Sequence, residues 1–460
     1  MIRVFNSLSR EKEEFIPQRE GIVTMYVCGP TVYDRGHLGH GRSAVVFDVI
    51  RRYFRYRGFQ VNYVSNYTDI DDKMITRAAE RGISVAELTE EIIPLYKEDF
   101  AELRILPADV HPKATEYVDP MIELIAVLEK KGATYVISDG VYFDVSRFDG
   151  YGKLSGQNLE ELQAGARVAV KEEKRNQQDF VLWKFEKPGE PAWDSPWGRG
   201  RPGWHIECSA MVKTVLGQPI DIHGGGLDLT FPHHECEIAQ SELAYGEPFA
   251  RYWMHNGFVN IDKEKMSKSL NNFITLRESF KSYPGRVIRF LYLLTHYRSP
   301  LDFSADLLDQ AKGGLARIDQ FLGLLGHYKP GDANAGVAGR LEEEEKVFQV
   351  FLDNDFDVSG ALGVVFRVVT DMNDAMQKKL LSGRDVQLVR DWMSRVDSIL
   401  AVAPDADDRE VDPEIDALIQ ERETARKARD FARSDEIRDM LKVRGIVLED
   451  TPDGVMWKRT

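Results

Sequence analysis

Residues 22–66 decide the fold: IVTMYVC (22–28), GPTVYDRGHLGHG (29–41), RSAVVFDVIRRYFRYR (42–57), then Gly58, Phe59 and QVNYVSN (60–66). The first run is short, apolar and partly β-branched, which reads as a buried strand. A loop rich in Gly and Pro follows. From Arg42 to Arg57 apolar residues recur at helical spacing, and Gly58 marks the stop. Gln60–Asn66 reads as a second strand. Strand, loop, helix and strand make a βαβ unit, and that crossover implies a parallel sheet. Ligands of such sheets bind at the carboxyl ends of the strands, which is where the loop 29–41 lies.

Outward from this unit, residues 115–200 read as an insertion. It holds the hairpin-like ATYVISDGVYFDV (133–145) and leads into the loop-rich KFEKPGEPAWDSPWGRGRPGW (184–204). Strand-like patterning returns at Gln218–Ile222 and at Tyr252–Asn260. From Leu276 onward the pattern is helical, with apolar residues at helical spacing over 307–329 and 340–403. The polar, acidic PDADDREVD (404–412) reads as a linker. Residues 413–460 form a small unit, with an Arg-rich helix (ERETARKARDFARSDEIRDMLKVRG) and a hairpin-like tail (IVLEDTPDGVMWKR). There is no internal repeat and no low-complexity run.

The chain has 460 residues, 43% hydrophobic and 29% charged, a globular composition too long for one ordinary core. No run approaches the ~18 consecutive apolar residues of a membrane span. The start, MIRVFNSLSREKEEF, is too charged for a secretory signal, so a cytoplasmic protein is expected. Three cysteines, Cys28, Cys208 and Cys236, are too few and too odd in number for a disulfide framework. Each is a small buried hydrophobe or a metal ligand. The formal net charge of −15 means that a nucleic-acid partner would have to dock on local basic patches.

Two short motifs suit a nucleotide. His37-Leu38-Gly39-His40 sits in a Gly-rich turn before a helix, whose free N–H groups and partial positive charge favour phosphate. His37 and His40 lie on one face and can donate to an α-phosphate, while Gly39 allows close approach to the backbone. The alternative is a histidine-capped turn without chemistry. Lys265-Met266-Ser267-Lys268-Ser269, in NIDKEKMSKSLNN (260–272), offers two point charges to a phosphate; the alternative is a solvated basic loop. A third motif, FPHHECEI (231–238), places His233 and Glu237 on one helical face, with Cys236 three residues after His233. With Cys28 and Cys208 the chain has S, N and O donors enough for a tetrahedral zinc, assembled from distant segments rather than as a finger. A capping His233 and a Cys208 packed in the core are the other reading.

Taken together, HLGH after the first strand and KMSKS far downstream resemble the paired signatures of class I aminoacyl-tRNA synthetases, with Leu38 where Ile is common. CGPTVYDRGHLGH (28–40), GWHIECSAM (203–211), DIHGGGLDLTFPHHECEIAQSE (221–242), KMSKSLNN (265–272) and FLYLLTHYRSPLDFS (290–304) are similar, in order and spacing, to the cysteinyl-tRNA synthetase family. With the C-terminal Arg-rich helix, the resemblance covers essentially the whole chain. It implies a Rossmann-like parallel α/β catalytic domain split by an insertion, then an α-helical bundle and a small anticodon-binding domain. The division it suggests is 1–114 and 201–260 for the two catalytic halves, 115–200 for the connective insertion, 261–306 for the KMSKS and stem-contact region, 307–403 for the bundle and 404–460 for the anticodon domain.

The same resemblance implies an enzyme that forms cysteinyl-adenylate from ATP and L-cysteine and passes the cysteine to the 3′ end of tRNA(Cys), with magnesium accompanying ATP. His37, His40, Lys265 and Lys268 would stabilise the phosphates in the transition state, and Gly29 and Gly39 would join them at ATP. The family's zinc ligands map onto Cys28, Cys208, His233 and Glu237. Cys236 stands where the family usually has Asn, and is given no ligand role. A zinc ion takes a thiolate and not a hard hydroxyl, so serine would be rejected without an editing domain, for which no extra insertion is seen. Around it, Thr68 is placed to hydrogen-bond the amino or carboxylate group, Trp204 to wall the pocket and Asp228 to take the ammonium. Arg422, Arg426, Arg429 and Arg433, with Lys427 and Arg438 nearby, would form the anticodon patch, whose bland reading is a solvated face with ion pairs. Trp457 is placed to stack on a base. A monomer is the family's usual case. Two rivals are a cysteine ligase of the mycothiol-biosynthesis type charging an amino-sugar, against which the Arg-rich unit argues, and a non-catalytic tRNA-binding paralogue, against which the intact motifs argue.

Overall fold

In a computed structural model, residues 1–157, 173–261, 264–266, 273–331, 336–404, 413–443, 446–451 and 454–459 are described. Lys268 lies outside them, as do the side chains of Lys265, Lys427 and Trp457 and nearly all of the 404–412 linker. Contacts divide the chain into two compact units, Met1–Val402 and Ala403–Thr460.

The core of the first unit is a four-stranded parallel sheet. Its spatial order is Ala250–Asn256, Ile220–Gly226, Ile22–Val27, Gln60–Ser65. Val23, Met25, Tyr26 and Val27 are all buried, so the first strand is covered on both faces, as its unbroken apolar run requires. Between Ile22–Val27 and Ile220–Gly226 the strand order reverses direction. That switch point opens a crevice at the carboxyl ends, just where Cys28 and the glycines 224–226 lie.

The helix of the βαβ unit runs Leu38–Tyr56, four residues longer at its start than the apolar spacing alone indicates. His37 is its N-cap, so HLGH forms the first turn of the helix and not a loop ahead of it. The helix buries Val45, Phe47, Ile50, Tyr53 and Phe54 against the sheet. The same apolar cluster continues into the helices Ala305–His327, Val337–Asp353, Val358–Gln377 and Gly383–Leu400, through Phe321, Phe348 and Trp392.

The insertion contributes the helix Val118–Lys130 and an antiparallel sheet in the order Thr134–Ile137, Gly140–Phe143, Phe180–Phe185, Gly200–Pro202. Its core is continuous with Ile206 and Ala210 of the helix Trp204–Val215 and with Ala239 of the helix Glu235–Tyr245. A further small sheet has Val259–Ile261 at its centre, antiparallel to Glu264–Lys265 and parallel to Leu301–Phe303.

In the second unit the single Arg-rich helix expected from sequence is two, Pro413–Lys427 and Phe431–Val443, broken where Arg429 takes a left-handed conformation (φ 58°). The hairpin Ile446–Thr451 with Gly454–Arg459 follows, and Ile419, Ile437, Leu441 and Ile446 fill the core.

Candidate active site

Cys28 follows the first strand directly, and its N–H donates to the Gly224 carbonyl of the neighbouring strand (3.0 Å). Cys208 comes from the helix Trp204–Val215, and Glu237 from the first turn of Glu235–Tyr245. His233 arrives on an irregular turn, Thr230–His234, that leads into the same helix. These four residues converge. Their ligand atoms lie within 4.8 Å of one another. Cys28 Sγ is 3.8 Å from Cys208 Sγ and 3.6 Å from Glu237 Oε1, Cys208 Sγ is 3.6 Å from His233 Nε2, and His233 Nε2 is 2.9 Å from Glu237 Oε1. Tetrahedral zinc with ordinary Zn–S and Zn–N lengths has edges of roughly 3.3–3.8 Å; the three distances to sulfur fall in that range, and the His233–Glu237 edge is shorter, as a direct hydrogen bond would make it.

The electrostatics point the same way. Burial opposes charge on Glu237, yet His223 and His233 overcome it and hold the carboxyl well below its usual range. Burial lowers His233, but Glu237 and Cys208 outweigh this and lift it to about 10. Burial raises Cys208, but the hydrogen bond from Cys28 and the pull of His233 bring it down to about 6. A buried thiolate and a buried carboxylate are the donor set a divalent cation neutralises.

A second layer orients these groups. His223 Nε2 donates to Glu237 Oε2 at 2.7 Å. His234 Nε2 lies 3.3 Å from Cys28 Sγ, and its Nδ1 is 2.8 Å from His255 Nε2. His205 Nδ1 meets His233 Nδ1 at 3.1 Å, and burial drives His205 down to about 3, so its ring is neutral. Cys28 and Glu237 also group with His223 and His234 as an alternative ligand set. Sequence reasoning missed His223, His234 and His205. The HGGG and FPHH spellings held the only signal for the first two, since their partners are distant in sequence.

The HLGH turn is built from its own two histidines. His37 Nδ1 accepts from the N–H groups of Gly39 (3.1 Å) and His40 (3.3 Å), while His40 Nδ1 accepts from the N–H of His37 (3.3 Å). Each neutral ring therefore carries its proton on Nε2. The two rings stack with centroids 3.7 Å apart. The segment that follows the KMSKS motif is stitched to this turn: His37 bridges Thr275, Leu38 N–H donates to Ile274 O (3.3 Å), and Leu276 N–H donates to Gly36 O (2.9 Å).

The remaining expected residues fare unequally. Gly29 is required, because a Cβ there would stand 1.7 Å from the Asn66 carbonyl oxygen. Its N–H donates to Asn66 Oδ1 (2.8 Å), an oxygen 3.9 Å from Cys208 Sγ. Thr68 is buried, and its hydroxyl donates to Glu207 Oε2 (2.7 Å) and accepts from Asn66 Nδ2 (3.3 Å), so it buttresses the site. Trp204 is half-buried and stacks on the His233 ring, with centroids 4.2 Å apart. Asp228 is exposed in the turn Leu227–Leu229, and the HGGG stretch before it is the end of the strand Ile220–Gly226. Cys236 lies outside the quartet, its thiol 3.6 Å from the Tyr151 hydroxyl.

Comparison with known proteins decides the family. Residues 14–313 match the family model for the tRNA synthetases class I (C) catalytic domain, and residues 408–457 match that for the cysteinyl-tRNA ligase anticodon binding domain. A cysteine–tRNA ligase of Shouchella clausii is 50% identical over the full length of both chains, and one of Halalkalibacterium halodurans is 48% identical over all of this chain and 99% of its own. The chain belongs to the cysteine–tRNA ligase family. Among solved structures, Mycobacterium tuberculosis methionyl-tRNA synthetase in complex with methionyl-adenylate superposes with a TM-score of 0.59 at 16% identity, covering 83% of this chain and 88% of that one. A putative arginyl-tRNA synthetase of Campylobacter jejuni gives 0.56 at 12%, covering 85% and 94%. Both share the fold.

In this cysteine–tRNA ligase family member, the arginines expected at the anticodon divide. Arg422 is buried (3% exposed), which sets it among the supports of its unit and not on its surface. Arg426 and Arg429 are exposed. Arg433 is bonded to Glu421 (2.8 Å) and Glu436 (2.6 Å), so much of its donor capacity is already engaged. No helix among the described residues is long and apolar enough to cross a membrane.

Proposed function

We propose that the chain activates L-cysteine with ATP and magnesium and transfers it to tRNA(Cys), as a cytoplasmic monomer with one zinc ion per chain. The observation that carries the metal and the amino acid is the quartet Cys28, Cys208, His233 and Glu237 at the switch point of the sheet. A zinc ion there would supply an attachment for the cysteine thiolate that a serine hydroxyl does not match. Trp204, stacked on His233, would flank the bound cysteine.

With the sulfur fixed, the cysteine carboxylate attacks the α-phosphate and pyrophosphate leaves. His37 and His40 aim their Nε2–H donors from the first turn of a helix, where the dipole favours the growing negative charge. Lys265 and Lys268 offset the charge of the leaving pyrophosphate. The terminal ribose hydroxyl of the tRNA then attacks the adenylate carbonyl and AMP departs. Placement and fixed charge supply the rate, with no covalent enzyme intermediate. The anticodon-domain match at 408–457 favours a tRNA acceptor over an amino-sugar. The six-part division of the chain fits this reading, with residues 261–306 as the segment that brings the lysines to ATP.

The test is metal analysis of the purified protein beside ATP–pyrophosphate exchange with cysteine or serine. Bound zinc with exchange driven by cysteine alone supports the reading. Exchange unaffected by complete removal of zinc would remove the metal from it.

A further inference from the structure

Arg42 stands two residues after His40 on the same helix and is fully buried (0% exposed). A buried guanidinium ordinarily sits against a carboxylate. Here the acceptors are main-chain carbonyls. Nη1 donates to Gly257 O (2.9 Å) and Phe258 O (2.6 Å). Nη2 reaches His296 O (3.4 Å), Tyr297 O (3.4 Å) and Ser299 O. Burial draws its pKa down to about 10, still charged at neutral pH.

The two chain segments it gathers are the roots of the sheet that carries Lys265. Gly257-Phe258 runs straight into the strand Val259–Ile261, whose partner Glu264–Lys265 opens the KMSKS motif. His296–Ser299 runs into Leu301–Phe303, the other neighbour of that strand. The two roots cross tightly: Gly257 N–H donates to Tyr297 O (2.9 Å), and a Cβ on Gly257 would stand 2.6 Å from Ser299 O. Five carbonyl dipoles converging on one point repel each other unless a cation sits among them. Arg42 is that cation. It belongs rigidly to the helix whose first turn is His37 to His40.

We propose that Arg42 is a positioning residue that sets the distance and register between the histidine pair and the lysine-bearing hairpin, and so the span across the ATP phosphates. It touches no substrate and acts through the backbone it holds. The inference rests on the proposed reaction, because only there do the two motifs work on one ligand.

The test is cysteine-dependent ATP–pyrophosphate exchange with the full-length protein, the parent beside Arg42→Lys. Lysine keeps the charge but cannot fork to both roots. A misplacement near 1 Å costs on the order of 100-fold, so kcat should fall roughly 10- to 100-fold while KM for cysteine stays within about two-fold, since the zinc quartet is untouched. Arg289→Lys is the control. Arg289 is equally buried but grips Leu400 O and Asp48, away from the hairpin roots, and its loss should lower the melting temperature with kcat kept. If Arg42→Lys does not fold, Gly257→Ala disturbs the same crossing with Arg42 in place and should show the same split. A folded Arg42→Lys with parental kcat overturns the inference, as does failure of both variants to fold, which would make Arg42 a folding residue only. Absence of exchange in the parent would instead overturn the proposed function.

Discussion

At the scale of single residues, the site is a set of anions and imidazoles that burial alone would forbid. Glu237 accepts from His223 (2.7 Å) on one oxygen and meets His233 (2.9 Å) on the other. Removing the His223 donor frees the carboxylate to rotate and weakens it as a ligand. For His223→Leu, which has no donor to offer, zinc affinity should drop about 10- to 100-fold, read by competition with a chromophoric chelator. Unchanged affinity would mean that the orientation of Glu237 is set elsewhere. Cys28, Cys208, His233 and Glu237 could be picked out of the sequence as one set because each sits in a motif shared with the family, and the fold brings the four together. The sequence hid the layer behind them. Asn66, His205, His234 and His255 act through contacts between segments up to about two hundred residues apart, and no spacing rule reports those. It placed Thr68 at the amino acid, and the fold gives that hydroxyl a bond to Glu207 (2.7 Å) that no motif foretold.

At the scale of elements, two glycines and two histidines in five residues read as a turn. They form the first turn of a helix instead, because the His37 side chain accepts the N–H groups that a helix start leaves unpaired. Local capping outweighed the low helix propensity of Gly39 and Gly41. The reverse error came at the C-terminal unit, where high propensity concealed the break at Arg429. A cluster of charge adds to the apolar core that joins the insertion to the body. Asp72, at the start of the helix Asp72–Arg81, pairs with Lys184 (2.5 Å) and with Arg201 on neighbouring strands of the insertion sheet. Burial raises the Asp72 carboxyl, but the hydrogen bonds from Lys184 and Arg201 reverse this and leave it at about 2. Its folded value lies below the ordinary ~3.9, so the pair stabilises the fold fully above about pH 4 and loses that contribution as pH falls toward 2. Asp72 is mostly exposed, so Asp72→Asn should lower stability at pH 7 by less than about 1 kcal/mol. The deficit against the parent should vanish at about pH 2 in denaturant titrations. A deficit that persists there would assign the effect to something other than charge.

At the scale of the whole molecule, the catalytic sheet and the helical bundle share one core, and a buried acid fastens them. Asp355 accepts from Phe5 N–H (2.8 Å), Tyr297 Oη (2.7 Å) and Arg298 Nε (2.7 Å), joining the N-terminal strand Arg3–Asn6, the loop before Leu301 and the bundle. Asp355→Ala strands a cation and two donors, and should cost about 3 kcal/mol or more in chemical denaturation. A cost under about 1 kcal/mol would show that the shared apolar core suffices without it. The second unit has its own small core, so a chain ending at Val402 should fold, keep cysteine-dependent pyrophosphate exchange, and lose most tRNA charging. Loss of exchange in that folded fragment would show that activation itself needs the C-terminal unit.

The central claim is that one metal site chooses cysteine and that tRNA receives it. The most direct measurement is charging of total tRNA with radiolabelled cysteine and, in parallel, serine, with and without prior zinc chelation. The account predicts cysteine charging that is lost on chelation and restored by zinc, with serine at background throughout. Cysteine charging that survives full zinc removal, or serine charging at a comparable rate, would contradict it.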